Sequence, residues 1–133
     1  METMTREKEE YVKGVAAEAW QQLLATTDKN VVGSWGVDNL AYTLIEAEEE
    51  QFPALTFTVD GILFKGRIFI ALDEGADYYQ IYCLKDSIIT LISSDVCFDE
   101  MGEIINRFVE RGTCSQKEYN QKVDAEISRV LSC

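Results

Sequence analysis

The sequence predicts a single α+β domain spanning residues 1–133: an N-terminal helix, an antiparallel β-meander of four to five strands and two C-terminal helices, in two-layer packing. Three observations carry that expectation. Apolar residues recur at spacings of three and four towards both ends of the chain, they alternate with a period of two through its middle, and the two patterns do not interleave. A length of 133 residues with 47% hydrophobic content suits one core and leaves no room for a second.

The first helix is expected over residues 5–27. Val12, Val15, Ala16, Ala19, Trp20, Leu23 and Leu24 form its apolar stripe, while Glu9, Lys13, Glu18 and Gln22 fill the opposite face. Asp28, Lys29 and Asn30 end it. Gly33, Ser34, Trp35 and Gly36 read as a loop, since two glycines within four residues suit neither regular structure. A strand is expected over residues 39–46, where Leu40, Tyr42 and Leu44 alternate with Ala41, Thr43 and Ile45, with a helix as the competing reading.

In the centre, Leu55, Phe57 and Val59 alternate with Thr56 and Thr58 and then meet Asp60-Gly61. Asp-Gly between two strand-forming runs signals a hairpin with a type I′ turn, which needs positive φ at both central residues. The pairing strand is expected over residues 62–72, followed by a turn at residues 73–77 and a strand over residues 78–84. Lys85-Asp86 then makes a tight turn into a last strand over residues 87–92. Pro53, the one proline, is placed ahead of a strand, where a missing N–H costs little.

Beyond Asp95 the helical period returns. Phe98, Met101, Ile104, Ile105, Phe108 and Val109 share a face, and Gly112 stands where a glycine ends a helix. Ser115 and Glu118 match a capping box for a last helix with Tyr119, Val123, Ile127, Val130 and Leu131 inward.

Charge narrows the function. Twelve Lys and Arg stand against 24 Asp and Glu with no His, a net charge of −12. Affinity for nucleic acid rests on Lys and Arg neutralising phosphates, so no nucleic-acid partner is expected, and Lys117, Lys122 and Arg129 are the nearest thing to a basic patch. The same field disfavours an anionic membrane surface. The longest apolar runs also fall far short of the roughly 20 residues that a spanning helix needs. Residues 1–8 carry mixed charge where a secretory signal would be basic and then apolar, so a cytoplasmic protein is expected.

Chemistry has little to stand on. Cys83, Cys97, Cys114 and Cys133 lie 14, 17 and 19 positions apart, with no Cys-x-x-Cys pair, so free thiols are expected rather than a zinc site or a disulfide framework. No histidine is available to activate a nucleophile, and no phosphate-binding or nucleophile-elbow motif occurs. Two acidic runs, Glu46/Glu48/Glu49/Glu50 and Asp95/Asp99/Glu100/Glu103, read as a solvated turn and a helix N-terminus. In the second, Glu103 is placed to pair with Arg107. Cys97, near that helix start, has acidic neighbours that oppose a thiolate.

Binding residues are the remaining candidates. Trp35, flanked by glycines, either plugs the edge of the core or is presented to a partner. Tyr78, Tyr82 and Leu84 point to one face of the sheet and Tyr79, Ile81 and Cys83 to the other, so both faces are partly apolar; Leu63 and Phe69 are assigned to the first. A monomer rarely leaves a large apolar patch bare. The expectation is therefore a small, acidic, non-enzymatic interaction module without cofactor or metal, of the adaptor, inhibitor, immunity or chaperone-like kind. It would bind another protein, or itself as a homodimer, through Leu63, Phe69, Tyr78 and Tyr82. The alternative is a small-molecule-binding domain whose pocket lies between sheet and helices, lined by Trp20, Tyr79, Tyr82 or Phe108.

Overall fold

Helix α1, Arg6–Thr26, forms where the three-to-four spacing predicts it in the computed structural model, which describes residues 5–47 and 49–111 of the chain. The hydroxyl of Thr5 accepts from the Lys8 N–H at 3.2 Å, satisfying one of the orphan donors of the first turn. Val12, Val15, Ala16, Ala19 and Leu23 are buried. Leu24, assigned to the same stripe, is 44% exposed, because it sits about 100° round the helix from Leu23.

Asp28 ends α1 by starting another helix. Its carboxylate accepts from the Asn30 N–H at 2.7 Å and caps α2, Lys29–Ser34, so the stretch expected to be loop is helical as far as Ser34. The residue pattern that hid α2 is Val31-Val32 followed by Gly33. Val32 anchors the turn in the core, and nothing around Gly33 requires a glycine.

Five antiparallel strands follow in the order β1-β2-β3-β4-β5: β1 Asp38–Ala47, β2 Glu50–Asp60, β3 Lys65–Asp73, β4 Tyr78–Lys85 and β5 Ile88–Val96. Leu55 stands opposite Ile70 and Phe57 opposite Ile68, the register that the alternation predicts. Helix α1 packs chiefly over β2 and β1. The chain then turns back through α3, Met101–Asn106, and a single wider turn of π-helix, Arg107–Arg111. Met101, Ile105 and Val109 are buried, whereas Phe98, assigned to that face, lies before the helix and is 51% exposed. A side chain at Gly102 would collide with Thr27, whose Oγ1 stands 1.8 Å from the Cβ position, so glycine lets α3 close on the end of α1.

Three local expectations are corrected. The β2–β3 connection is the four-residue loop Gly61–Phe64 rather than a two-residue type I′ turn, and Gly61 is not among the positive-φ residues. Its glycine answers to packing: an added Cβ would stand 2.1 Å from Val109 Cγ1 and 2.7 Å from the Val109 carbonyl oxygen. Strand β3 consequently begins at Lys65, leaving Ile62 and Leu63 in the loop. Pro53 lies inside β2, opposite Leu44 of β1, at the end of the strand where pairing with β3 has not begun, so no ladder bond to β3 is lost. The last tight turn is Asp86-Ser87, with φ of 53° and 66°, and β5 runs on to Val96.

The apolar residues form two clusters. The larger, with Trp35, Phe57, Ile68, Ile70, Ile81, Met101 and Ile105, lies between the sheet and all three described helices. The smaller comprises Ile45, Phe52, Ala54, Phe69, Ala71 and Tyr82 on the opposite face and, among the described residues, draws on strands alone. The second C-terminal helix expected from Ser115 onward, with Lys117, Lys122, Arg129, Cys114 and Cys133, lies outside the described residues, as do Gly112 and Glu48.

Candidate functional site: the β5 edge of the sheet

The five binding candidates do not converge. Trp35 is fully buried and its indole N–H donates to Asn106 Oδ1 at 3.0 Å, so of its two readings the structure takes the plug. Leu63 is half-buried in the β2–β3 loop, its N–H donating to the Val109 carbonyl at 2.8 Å, and so belongs with the π-helical turn that follows α3 rather than with β3. Phe69 and Tyr82 stand opposite each other on the far face, each 6% exposed. Tyr78, at the start of β4, is 40% exposed.

The alternative pocket is divided by the sheet. Trp20, Tyr79 and Phe108 lie on the helix side, where Trp20 packs on Phe57 with ring centroids 6.0 Å apart and Phe108 on Phe64 at 4.8 Å. Tyr82 belongs to the far cluster. Burial, then the charges of Glu18 and Asp77, push the Tyr79 phenol up to about 12, and it donates to Gln22 Oε1 at 2.7 Å. The Tyr11 phenol is likewise pushed up to about 12, chiefly by its hydrogen bond to Glu74. These phenols tie α1 to the sheet.

The two described thiols are not activated. Cys83 is a buried free thiol pushed up by desolvation, with Lys85 acting weakly against it. Cys97 is exposed, and its thiol is pushed up by desolvation, by a hydrogen bond to Glu100 and by the charges of Glu100 and Asp99. Glu100 also accepts from the Cys97 backbone N–H at 3.0 Å, and the expected Glu103–Arg107 pair forms at 3.1 Å. Among the described residues, no three Cys, Asp or Glu gather closely enough to hold a metal ion.

What the fold does present is an edge. Among the described residues, the meander leaves its first and last strands with one neighbour each, and the last carries Ile88 at 64%, Ile89 at 46% and Leu91 at 49% exposure. Leu91 stands opposite Tyr82 and Ile89 opposite Leu84, so Leu84, Ile89 and Leu91 make an exposed apolar strip on one face of the sheet. Residues 88–94 contain no charge, in a chain with 27% charged residues. Sequence reasoning recognised this strand but not its value as a site. The signal was present: the last strand of a meander is an edge by construction, and an uncharged edge lacks the usual protection against pairing.

Comparison with protein-family models, curated proteins and solved structures finds no match for this chain. No described helix is long and apolar enough to cross a membrane.

Proposed function

We propose that the protein is a small, acidic, non-enzymatic interaction module of the cytoplasm that docks through the β5 edge of its sheet. The observation that carries this reading is the uncharged stretch Ile88–Ser94 at the end of a meander, with Ile88, Ile89 and Leu91 exposed. An unpaired edge offers a row of backbone N–H and C=O groups as main-chain affinity, and the alternating side chains supply specificity. The raised thiols of Cys83 and Cys97 and the lack of histidine support a binding role rather than nucleophilic chemistry. The acidic surface supports a protein partner over nucleic acid or an anionic membrane.

Affinity capture from the native host tests the reading with three baits: wild type, Leu91→Lys and Leu24→Lys. Leu24 is an exposed apolar residue on α1 rather than on β5. The expected result is a set of captured proteins, or of co-purifying copies of the chain itself, that survives Leu24→Lys and is lost with Leu91→Lys. Identical capture by all three baits would overturn the role of β5.

A further inference from the structure

We infer that the occupant of the β5 edge is a second copy of this chain, the two β5 strands running antiparallel about a two-fold axis that passes beside Thr90. The inference rests on the reading of β5 as a docking strand and adds its partner.

The turn at the start of β5 determines which backbone groups are free. Asp86 and Ser87, both at positive φ, make a two-residue hairpin that closes on the pair Lys85 and Ile88. In such a hairpin the flanking pair exchanges its hydrogen bonds, and along an antiparallel strand the bonding direction then alternates. Ile88 and Thr90 therefore bond inward to β4, while the N–H and C=O groups of Ile89 and Leu91 face out of the sheet. In an antiparallel pair centred on Thr90, Ile89 of each copy stands opposite Leu91 of the other, so the outward groups of one strand meet the outward groups of the other in register.

Charge leaves this place open to a copy. Two chains of net charge −12 repel wherever carboxylates face each other, and residues 88–94 are a surface on which a copy brings none. The apolar strip is continued as well: Ile89 and Leu91, each about half exposed, gain Leu91 and Ile89 of the copy as cross-strand neighbours. At the margin, the Asp95 end of one strand comes beside the hairpin end of the other, which carries both Lys85 and Asp86.

Closure follows from the rest of the sheet. Beyond Leu91 the β4–β5 register slips twice, and Asp95 has a φ of 54°, so the flat stretch ends there and centres the pair on Thr90. Once the two β5 strands are joined, the remaining edges among the described residues are the two β1 strands. Each carries a register shift between Asp38 and Ala41, with Asn39 at positive φ and the charge of Glu46. The contact is isologous and uses up the open edge, which gives a dimer rather than a fibre.

Light scattering at high micromolar concentration tests the inference. Wild type is expected at twice 15.1 kDa. Leu91→Lys, which brings like charges together across the axis, is expected at 15.1 kDa with an unchanged circular dichroism spectrum, and so is Ile89→Pro, which removes one outward N–H while leaving the bonds to β4. A wild-type monomer at that concentration, or a dimer that survives both substitutions, would overturn the inference. The outcomes for the copy and for the docking strand separate. A monomeric wild type whose captured partner is lost with Leu91→Lys keeps β5 as the docking strand and rejects the copy, whereas a capture insensitive to Leu91→Lys rejects both.

Discussion

The two edges of the sheet are built differently from similar material. Strand β1 has apolar residues on both faces, as β5 does, and Leu40, in its irregular outer end, is 48% exposed, yet its Ile45 is 2% exposed and packs with Phe52, and its Tyr42 reaches α1 by donating to Glu9 at 3.2 Å. Its outer end is bent by the slip between Asp38 and Ala41, where Asn39 donates from its side chain to Thr58 Oγ1 at 3.1 Å. Strand β5 starts from a tight hairpin, carries Ile88, Ile89 and Leu91 into solvent, and has no charge before Asp95. The difference teaches that exposure of an edge depends on which neighbours the chain order supplies, because hydrophobic composition alone would rank the two strands alike. Placing α1 beside β1 blunts one edge and leaves the other available.

A lysine placed on each edge is the harshest way to break that comparison. Ile45→Lys introduces a charge into a buried position and is expected to destabilise by at least the roughly 2–5 kcal/mol of a large-to-small core substitution. Leu91→Lys, on a half-exposed position, is expected to change the stability of the monomer by no more than about 0.5 kcal/mol. Chemical denaturation at low protein concentration, where assembly does not contribute, measures both. Equal losses would mean that the edges do not differ in the way described.

Alkaline pH sharpens the contrast more gently, by loosening the side of the sheet that α1 covers. The Tyr79 and Tyr11 phenols are pushed up to about 12 in the folded protein against an ordinary value of 10.0, and that of Tyr42 is raised by desolvation and by Glu9. A raised folded-state pKa means that the contribution is fully present below about pH 10 and is lost as the pH rises through about 12. The melting temperature is therefore expected to be flat in this respect up to about pH 10 and to fall above it, and Tyr79→Phe should reduce that fall. A profile unchanged by Tyr79→Phe would deny the phenol its role in tying α1 to the sheet.

Much of the architecture was legible in the residues because periodicity reports burial directly. The spacing of Val12, Val15, Ala19 and Leu23, and the alternation of Leu55, Phe57 and Val59, each have one physical solution, and α1, β2 and the register with β3 follow. Loops were less legible, since a glycine signals several things at once. Gly61 signals backbone freedom in the sequence but serves as the place where Val109 approaches, a contact from a residue 48 positions away that no local window contains. Gly33 was read as a breaker and is carried inside a helix nucleated by the Asp28 cap. The site was legible only in part. Tyr78, Tyr82 and Leu84 were assigned to the correct face, but exposure is decided by the far cluster, which buries Tyr82 with Phe69, and by strand order, which exposes Ile89 and Leu91.

Residue-resolved amide exchange at two protein concentrations tests the central claim most directly, because it reads the outward N–H groups of Ile89 and Leu91 against the inward N–H of Thr90 in the same strand. At high micromolar concentration all three amides are expected to be protected. On dilution to a concentration at which light scattering reports a monomer, Ile89 and Leu91 should exchange rapidly while Thr90 remains slow. Rapid exchange of Ile89 and Leu91 at every concentration, with Thr90 protected throughout, would contradict the claim that β5 is where a second copy pairs.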